Sequence, residues 1–167
     1  MKLTEFFLTE LDAEAAGTRH AIERVPEGRN DWKPHEKSMP LGYLAALVAT
    51  MPGWIEMMIN TDELDFSAPD RPRTPEMKTR EELLGALNES LEKARKALTT
   101  TTDEHLLKPW RFRAGEHVLS EEPRYKMIQN SVFNHLAHHR GQLTVYLRLT
   151  GAMVPAIYGP SADEASF

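Results

Sequence analysis

Two histidines spaced four residues apart, His135 and His139, are the residues of this chain whose type and spacing best suit chemistry. Residues four apart on an α-helix lie one above the other on the same face, so both imidazoles can reach one metal ion. The same spacing also suits a structural pair that hydrogen-bonds to its neighbours inside a core. The spacing alone therefore predicts either a metal site or a pair of core histidines.

The helix that would carry this pair is predicted from Pro123 to Thr150. Proline suits the first turn of a helix, and Gly151 suits the stop at its C-terminal end. Apolar residues at helical spacing share one face with His139, and His135 lies at the margin of that face. These apolar residues are Val132, Leu136, Leu143, Tyr146 and Leu147.

The neighbours of the pair on the same helix can be ranked by their angle around its axis. His138 lies about 100° from His139, so we expect it at the edge of the site and without a role. Gln142 and Tyr146 follow His139 by one and two turns. We expect them either to hydrogen-bond with His139 or to form a polar rim.

Three further helices are predicted from apolar residues at helical spacing, over Leu3–Val25, Pro40–Ile59 and Thr79–Thr100. A kink is expected between Thr50 and Trp54 because a proline removes one backbone hydrogen bond there. Thr79 begins a capping box with the glutamate three residues later. The shared core is expected to contain Leu44, Val48, Leu87, Leu91, Val132, Leu136 and Leu143.

Two long connectors, residues 60–78 and 103–122, complete the chain. In the second, Trp110, Phe112 and Val118 alternate with polar residues, which predicts either a short hairpin or a loop over the end of the helices. The whole pattern predicts an all-α fold: an up-and-down four-helix bundle with two long connecting loops, forming one domain over residues 1–167.

Composition and charge exclude several classes of function. The absence of cysteine excludes disulfides, thiolate metal sites and a cysteine nucleophile. A net charge of −5 without a basic stripe argues against a nucleic-acid partner. The apolar runs are judged too short to span a bilayer and no signal peptide is recognised, so we expect a cytoplasmic protein without a membrane partner. The other histidines that the pattern places, His20 on an exposed helix face and His105 and His117 in a loop, are assigned no chemical role.

Two segments, WKPHEKSMPLGYLAALVATMPGW and NHLAHHRGQLTVYLRLTGAMVPAIYGPSADE, resemble the DinB-like (damage-inducible) family, and the resemblance spans nearly the whole chain. Members of that family are described as metal-dependent hydrolases. The resemblance implies a four-helix bundle that holds nickel or zinc through three histidines, two of which correspond to His135 and His139. It also implies a homodimer, for which Tyr43, Trp54 and Ile55 are the candidate contacts.

The third histidine of the family normally lies in the second helix, in a segment that resembles L-A-x-H-x-A. In this chain Leu47 stands at that place, and leucine has no lone pair to offer a metal. His35 or Glu116 could supply a replacement ligand from a connector. We therefore predict a weakened or vestigial metal site of His135 and His139, with a divalent nickel or zinc ion bound weakly or not at all.

Two alternatives stay open at this point. By resemblance, the chain could be an active metal-dependent hydrolase or a transferase that acts on a small-molecule or low-molecular-weight thiol substrate. It could instead be a structural or regulatory dimer without catalysis.

Overall fold

The computed structural model describes residues 1–165, and helices form most of it. The helices are α1 (Leu3–Glu23), α2 (Leu41–Thr50), α3 (Trp54–Asn60), α4 (Arg80–Thr100), α5 (Asp103–Leu106), α6 (Arg124–Ile128) and α7 (His135–Leu149). The strands are β1 (Glu63–Asp65), β2 (Pro109–Ala114) and β3 (His117–Pro123). A 3₁₀ turn joins α2 to α3, and a π-helical turn joins α6 to α7.

The four predicted helical segments are confirmed, with ends that differ by one or two residues. Thr79 accepts a hydrogen bond from the Glu82 N–H and completes the predicted capping box at the start of α4. The predicted kink is the 3₁₀ turn Met51–Gly53, where Pro52 interrupts the α-helical bonding. Each residue of the predicted shared core is buried: Leu44, Val48, Leu87, Leu91, Val132, Leu136 and Leu143.

The all-α fold class is wrong, because a three-stranded mixed sheet packs at one end of the helices. Strand β1 runs parallel to β2, and β3 runs antiparallel to β2 after a turn at Gly115, whose φ is 59°. Of the two alternatives for residues 103–122, a hairpin or a loop, the structure has the hairpin. It forms because the β2 side chain of Trp110 is buried and its indole N–H donates to Thr61.

Strand β1 lies in the connector for which no regular structure was expected. Its carboxylates pair across the sheet with Arg113 of β2, at 2.7 Å for Glu63 and 2.6 Å for Asp65. The Asp65 carboxylate also accepts hydrogen bonds from the backbone of Gly115 and from Ser67, which lower its pKa to about 2. Charged pairs therefore fix a strand that has only three residues.

The segment Leu41–Asn60 contradicts the expectation that no apolar run is long enough to cross a membrane. By length and composition alone it could do so, but 67% of its most apolar window is buried inside the protein. It packs against α4 and α7 as a core helix does.

The last helix is not the uninterrupted α-helix that the sequence predicted. Its turn Gln129–Asn134 is π-helical, with five residues in place of four between hydrogen-bonded groups. The buried pair Met127–Ile128 is accordingly five residues from the buried pair Val132–Phe133. The extra residue keeps α6 and α7 facing the same core.

Candidate functional site

The side chains of His135 and His139 lie together at the beginning of α7. Their Nε2 atoms face each other at 2.8 Å, and their ring centroids are 4.4 Å apart. His139 is buried, as predicted, and His135 is half-buried. Two nitrogens at this separation share a proton or bind one cation, since two facing lone pairs repel each other.

The His139 imidazole has a partner for its second ring nitrogen. Nδ1 of His139 lies 2.8 Å from the amide oxygen of Gln142, which confirms one of the two predicted neighbours. A histidine that binds a metal through one ring nitrogen usually donates the N–H of its other ring nitrogen to a carbonyl or carboxylate oxygen.

Tyr146, the other predicted neighbour, does not hydrogen-bond with His139. Its hydroxyl donates to the Met39 carbonyl at 3.2 Å, and its ring packs edge-on against Trp32 at 5.5 Å. Tyr146 therefore holds the loop before α2 against the last helix.

Burial favours the neutral form of both imidazoles. Burial is the largest cause that lowers the pKa of His135 and of His139 below the ordinary histidine value. Electrostatic repulsion from His138 lowers the pKa of both rings further, while the hydrogen bond to Gln142 raises the pKa of His139. A neutral imidazole offers the lone pair that a metal requires.

Two aromatic rings, those of Trp54 and His138, lie beside the pair. The Trp54 ring lies 5.9 Å from the His135 ring, and the exposed His138 ring lies 5.0 Å from that of His139. Leu47 is buried on α2, which packs against α7. Within residues 1–165, no group of three His, Cys, Asp or Glu side chains is arranged to hold a metal ion.

The structure gathers none of the other candidate ligands at this pair. His35 lies exposed in the loop before α2, where its Nδ1 accepts from the Lys37 N–H, and Glu116 is exposed in the hairpin turn. His20 is exposed on α1, as predicted, and His117 is exposed at the start of β3. His105 is half-buried on the short helix α5 and bonds to the Ile59 carbonyl at 2.8 Å.

Two buried arginines were not expected from the sequence. Arg140, directly after His139, donates to the carboxylate and carbonyl of Glu14, to the Thr18 hydroxyl and to the Tyr158 hydroxyl. It fixes the rotation of α7 against α1. Its place on the apolar face, four residues after Leu136, was the available signal.

The second arginine, Arg124, begins α6 and is 1% exposed. Its guanidinium donates to Asp62 and to four backbone carbonyls, those of Met58, Thr61, Lys108 and Pro109. The Met58 and Thr61 carbonyls lie at the end of α3, and the Pro109 carbonyl lies at the start of β2. Arg124 therefore ties the sheet to α3 and α6.

Two surface clefts lie away from the histidine pair. One, of about 290 Å³, is lined by charged residues of the sheet and by Arg124. The other, of about 470 Å³, lies between the first turn of α1 and α6, with Phe6 and Tyr125 in its wall. Neither cleft is lined by His135 or His139.

Comparison with known proteins adds the family context. The family model described as the DinB family matches residues 1–166. The uncharacterized protein YrdA of Bacillus subtilis (strain 168) is 27% identical over 160 residues, which is 96% of this chain and 90% of that protein.

Two solved structures share the fold. A DinB-like protein from Bacillus cereus ATCC 10987 has a TM-score of 0.72 at 21% identity, over 92% of this chain and 97% of its own. The DinB-like protein YjoA from Bacillus subtilis has a TM-score of 0.67 at 21% identity, over 89% and 94%. None of these names states a substrate.

Proposed function

Because this chain belongs to the DinB family, we propose that it binds a divalent transition metal, zinc or nickel, weakly through His135 and His139. One observation carries the proposal: the two Nε2 atoms converge at 2.8 Å while Gln142 takes the outer nitrogen of His139. Imidazole nitrogens suit both metals. The residues present thus fit two ligands of a three-histidine site.

The missing third ligand argues for weak binding. Leu47 holds the place of the third histidine by resemblance, and no third ligating side chain joins the pair within the described part of the chain. A metal with two protein ligands is held less firmly than one with three. We therefore infer a weakened site rather than a fully equipped metal centre.

The reaction and its substrate stay predictions. A bound metal would polarise a substrate oxygen or lower the pKa of a bound water or thiol. The protein's own contribution is to hold two imidazoles in place beside the Trp54 ring. A hydrolase or thiol transferase that acts on a small molecule is therefore the alternative to a vestigial site.

Assembly and location also stay predictions. Of the three candidate dimer contacts, Tyr43 is 47% exposed, Trp54 is half-buried and Ile55 is fully buried. Ile55 is occupied by the core and is not available to a partner. The proposal of a homodimer thus depends mainly on Tyr43.

Equilibrium dialysis against zinc, followed by elemental analysis, tests the metal proposal. We expect the parent to bind up to one zinc per chain and the His135→Gln/His139→Gln double variant to bind none. The exposed His117→Gln variant is the control and should bind as the parent does. Equal zinc content in the parent and the double variant would refute the proposal.

A further inference from the structure

The end of the first connector, residues 71–78, is an extended segment on the protein surface. In the described part of the chain, the residues between Arg71 and Lys78 form no backbone hydrogen bond and belong to no helix or strand. Pro72 and Pro75 are three residues apart, which is one turn of a polyproline II helix. Every third side chain is half-buried and the others are exposed; the half-buried ones are Arg71, Thr74 and Met77. This period of three indicates a polyproline II conformation, and residues 71–78 are called the proline segment below.

Both ends of the proline segment are fixed to the rest of the protein. At its start, the Arg71 guanidinium lies 4.0 Å from the centre of the Phe66 ring. At its end, the Lys78 carbonyl accepts a hydrogen bond from the Asn30 side chain at 3.0 Å. The two prolines between these anchors are exposed. The segment is therefore held in an extended form, so a partner that binds it loses little affinity to the ordering of a flexible chain.

The cleft between α1 and α6 has the side chains that bind such a segment. Its wall contains the half-buried rings of Phe6 and Tyr125, and proline-rich segments dock in grooves lined by aromatic side chains. Gln129 and Asn130 line the same cleft, and side-chain amides donate hydrogen bonds that the free carbonyls of an extended backbone accept. The cleft volume of about 470 Å³ lies in the ordinary range of binding sites.

The charges of the cleft and of the proline segment are complementary. Glu122 and Lys126 line the cleft and pair at 3.3 Å, with 46% and 50% of their side chains exposed. On the proline segment Arg73 is exposed, and Glu76 pairs with Lys78 at 3.7 Å. Exposed ion pairs contribute little to stability, so they can exchange partners readily. Arg73 can thus pair with Glu122, and Glu76 with Lys126.

We propose that the cleft between α1 and α6 of one copy of this protein binds the proline segment of a second copy. The two prolines then lie against the aromatic rings, and Arg73 lies beside Glu122. Residues 71–78 do not line this cleft in their own chain, so the contact joins two copies. It is a heterologous contact, because the cleft and the segment are different surfaces. It is separate from the homodimer that depends on Tyr43, and it does not rest on the metal proposal.

A synthetic peptide of residues 68–78 with blocked termini is the probe. We expect the labelled peptide to bind the parent protein saturably, as measured by fluorescence anisotropy, and to bind less tightly at high salt. The peptide with both Pro72→Ala and Pro75→Ala is the matched control. It should bind about tenfold less tightly or worse, since it loses the fixed conformation and the contacts with the rings.

Two protein variants test the location of the binding site. Glu122→Lys changes an exposed residue and should weaken binding of the parent peptide by about tenfold or more, and a peptide with Arg73→Glu should recover the affinity of this variant. Tyr125→Ala should also weaken binding, because it removes one ring. Absence of saturable binding at millimolar peptide, or parent-like binding by Glu122→Lys, would overturn the inference.

The mass of the full chain in solution identifies the occupant. By light scattering, the average mass of the parent should rise with concentration, and the variant with both Pro72→Ala and Pro75→Ala should show a smaller rise. A homodimer through Tyr43 would be equally stable in both proteins. The same mass in the parent and the proline variant at every concentration would therefore overturn the proposal that a second copy occupies the cleft.

Discussion

The buried guanidinium of Arg140 donates to the Glu14 carboxylate at 2.6 Å, so the residue directly after His139 anchors the last helix to the first. Arg140 is 1% exposed, and the Glu14 side chain is 14% exposed. The same guanidinium reaches the Tyr158 hydroxyl, which in turn donates to Glu14. The orientation of the candidate site thus depends on an ion pair that also holds the C-terminal segment.

Replacement of this arginine should be costly. Arg140→Met removes one member of a buried ion pair and leaves Glu14 without its partner, which typically costs about 3–5 kcal/mol of unfolding free energy. Urea denaturation measures the change. Arg148→Met is the matched control, because its pair with Asp163 is more exposed and should contribute about 0–1 kcal/mol. Equal losses in the two variants would show that Arg140 is not an anchor.

Protonation of the histidine pair should destabilise the metal-free protein. The folded-state pKa of His135 and of His139 is lowered, whereas the unfolded chain keeps a histidine pKa of about 6.5. Between these values the unfolded state binds more protons, so the unfolding free energy falls as the pH drops below about 6.5.

Urea denaturation in chelator, as a function of pH, measures this effect. The His135→Gln/His139→Gln variant should lose that part of the pH dependence, and the exposed His20→Gln variant should keep it. The explanation by the buried pair is wrong if the double variant retains the full slope.

Gln142 should support zinc binding through its amide oxygen. Gln142→Leu removes the hydrogen bond to His139 and should weaken zinc binding by about tenfold or more. Gln142→Glu replaces the amide oxygen with a carboxylate, which accepts the same hydrogen bond, and should bind zinc at least as tightly as the parent. Competition with a chromophoric chelator measures both affinities. Parent-like binding by the leucine variant would remove Gln142 from the site.

The helices and the face that carries the histidines could be predicted from the sequence because local signals specify them. Thr79 caps α4 and Pro52 interrupts the second helix, and both act within one turn of the chain. A rotation of 100° per residue predicted that His139 is buried and that His138 lies at the edge, and the structure has His139 buried and His138 exposed. Local periodicity was sufficient for these features.

The sheet and the buried arginines depend on distant contacts. Residues Glu63 and Arg111 pair in register although 48 positions separate them, and no local pattern in a three-residue strand indicates its partner. The sequence assigned no place to Arg124 or Arg140, because a charged side chain is buried only when other elements supply its partners. The π-helical turn was missed because a constant rotation was assumed along the whole helix.

If His135 and His139 are two ligands of a metal site whose third ligand is missing at Leu47, the variant Leu47→His should supply that ligand. In chelator the variant should be less stable than the parent by about 1–3 kcal/mol, since the buried ring has unpaired nitrogens. Bound zinc satisfies one nitrogen and stabilises only the folded state, so added zinc should reverse this loss.

The most direct measurement is the zinc dissociation constant of the parent, of Leu47→His and of Leu47→His combined with His139→Gln, by competition with a chromophoric chelator. We predict weak binding by the parent, binding at least about tenfold tighter (1.4 kcal/mol) by Leu47→His, and loss of that gain in the double variant. The same zinc affinity in the parent and in Leu47→His would contradict the account, because position 47 would then not face the histidine pair.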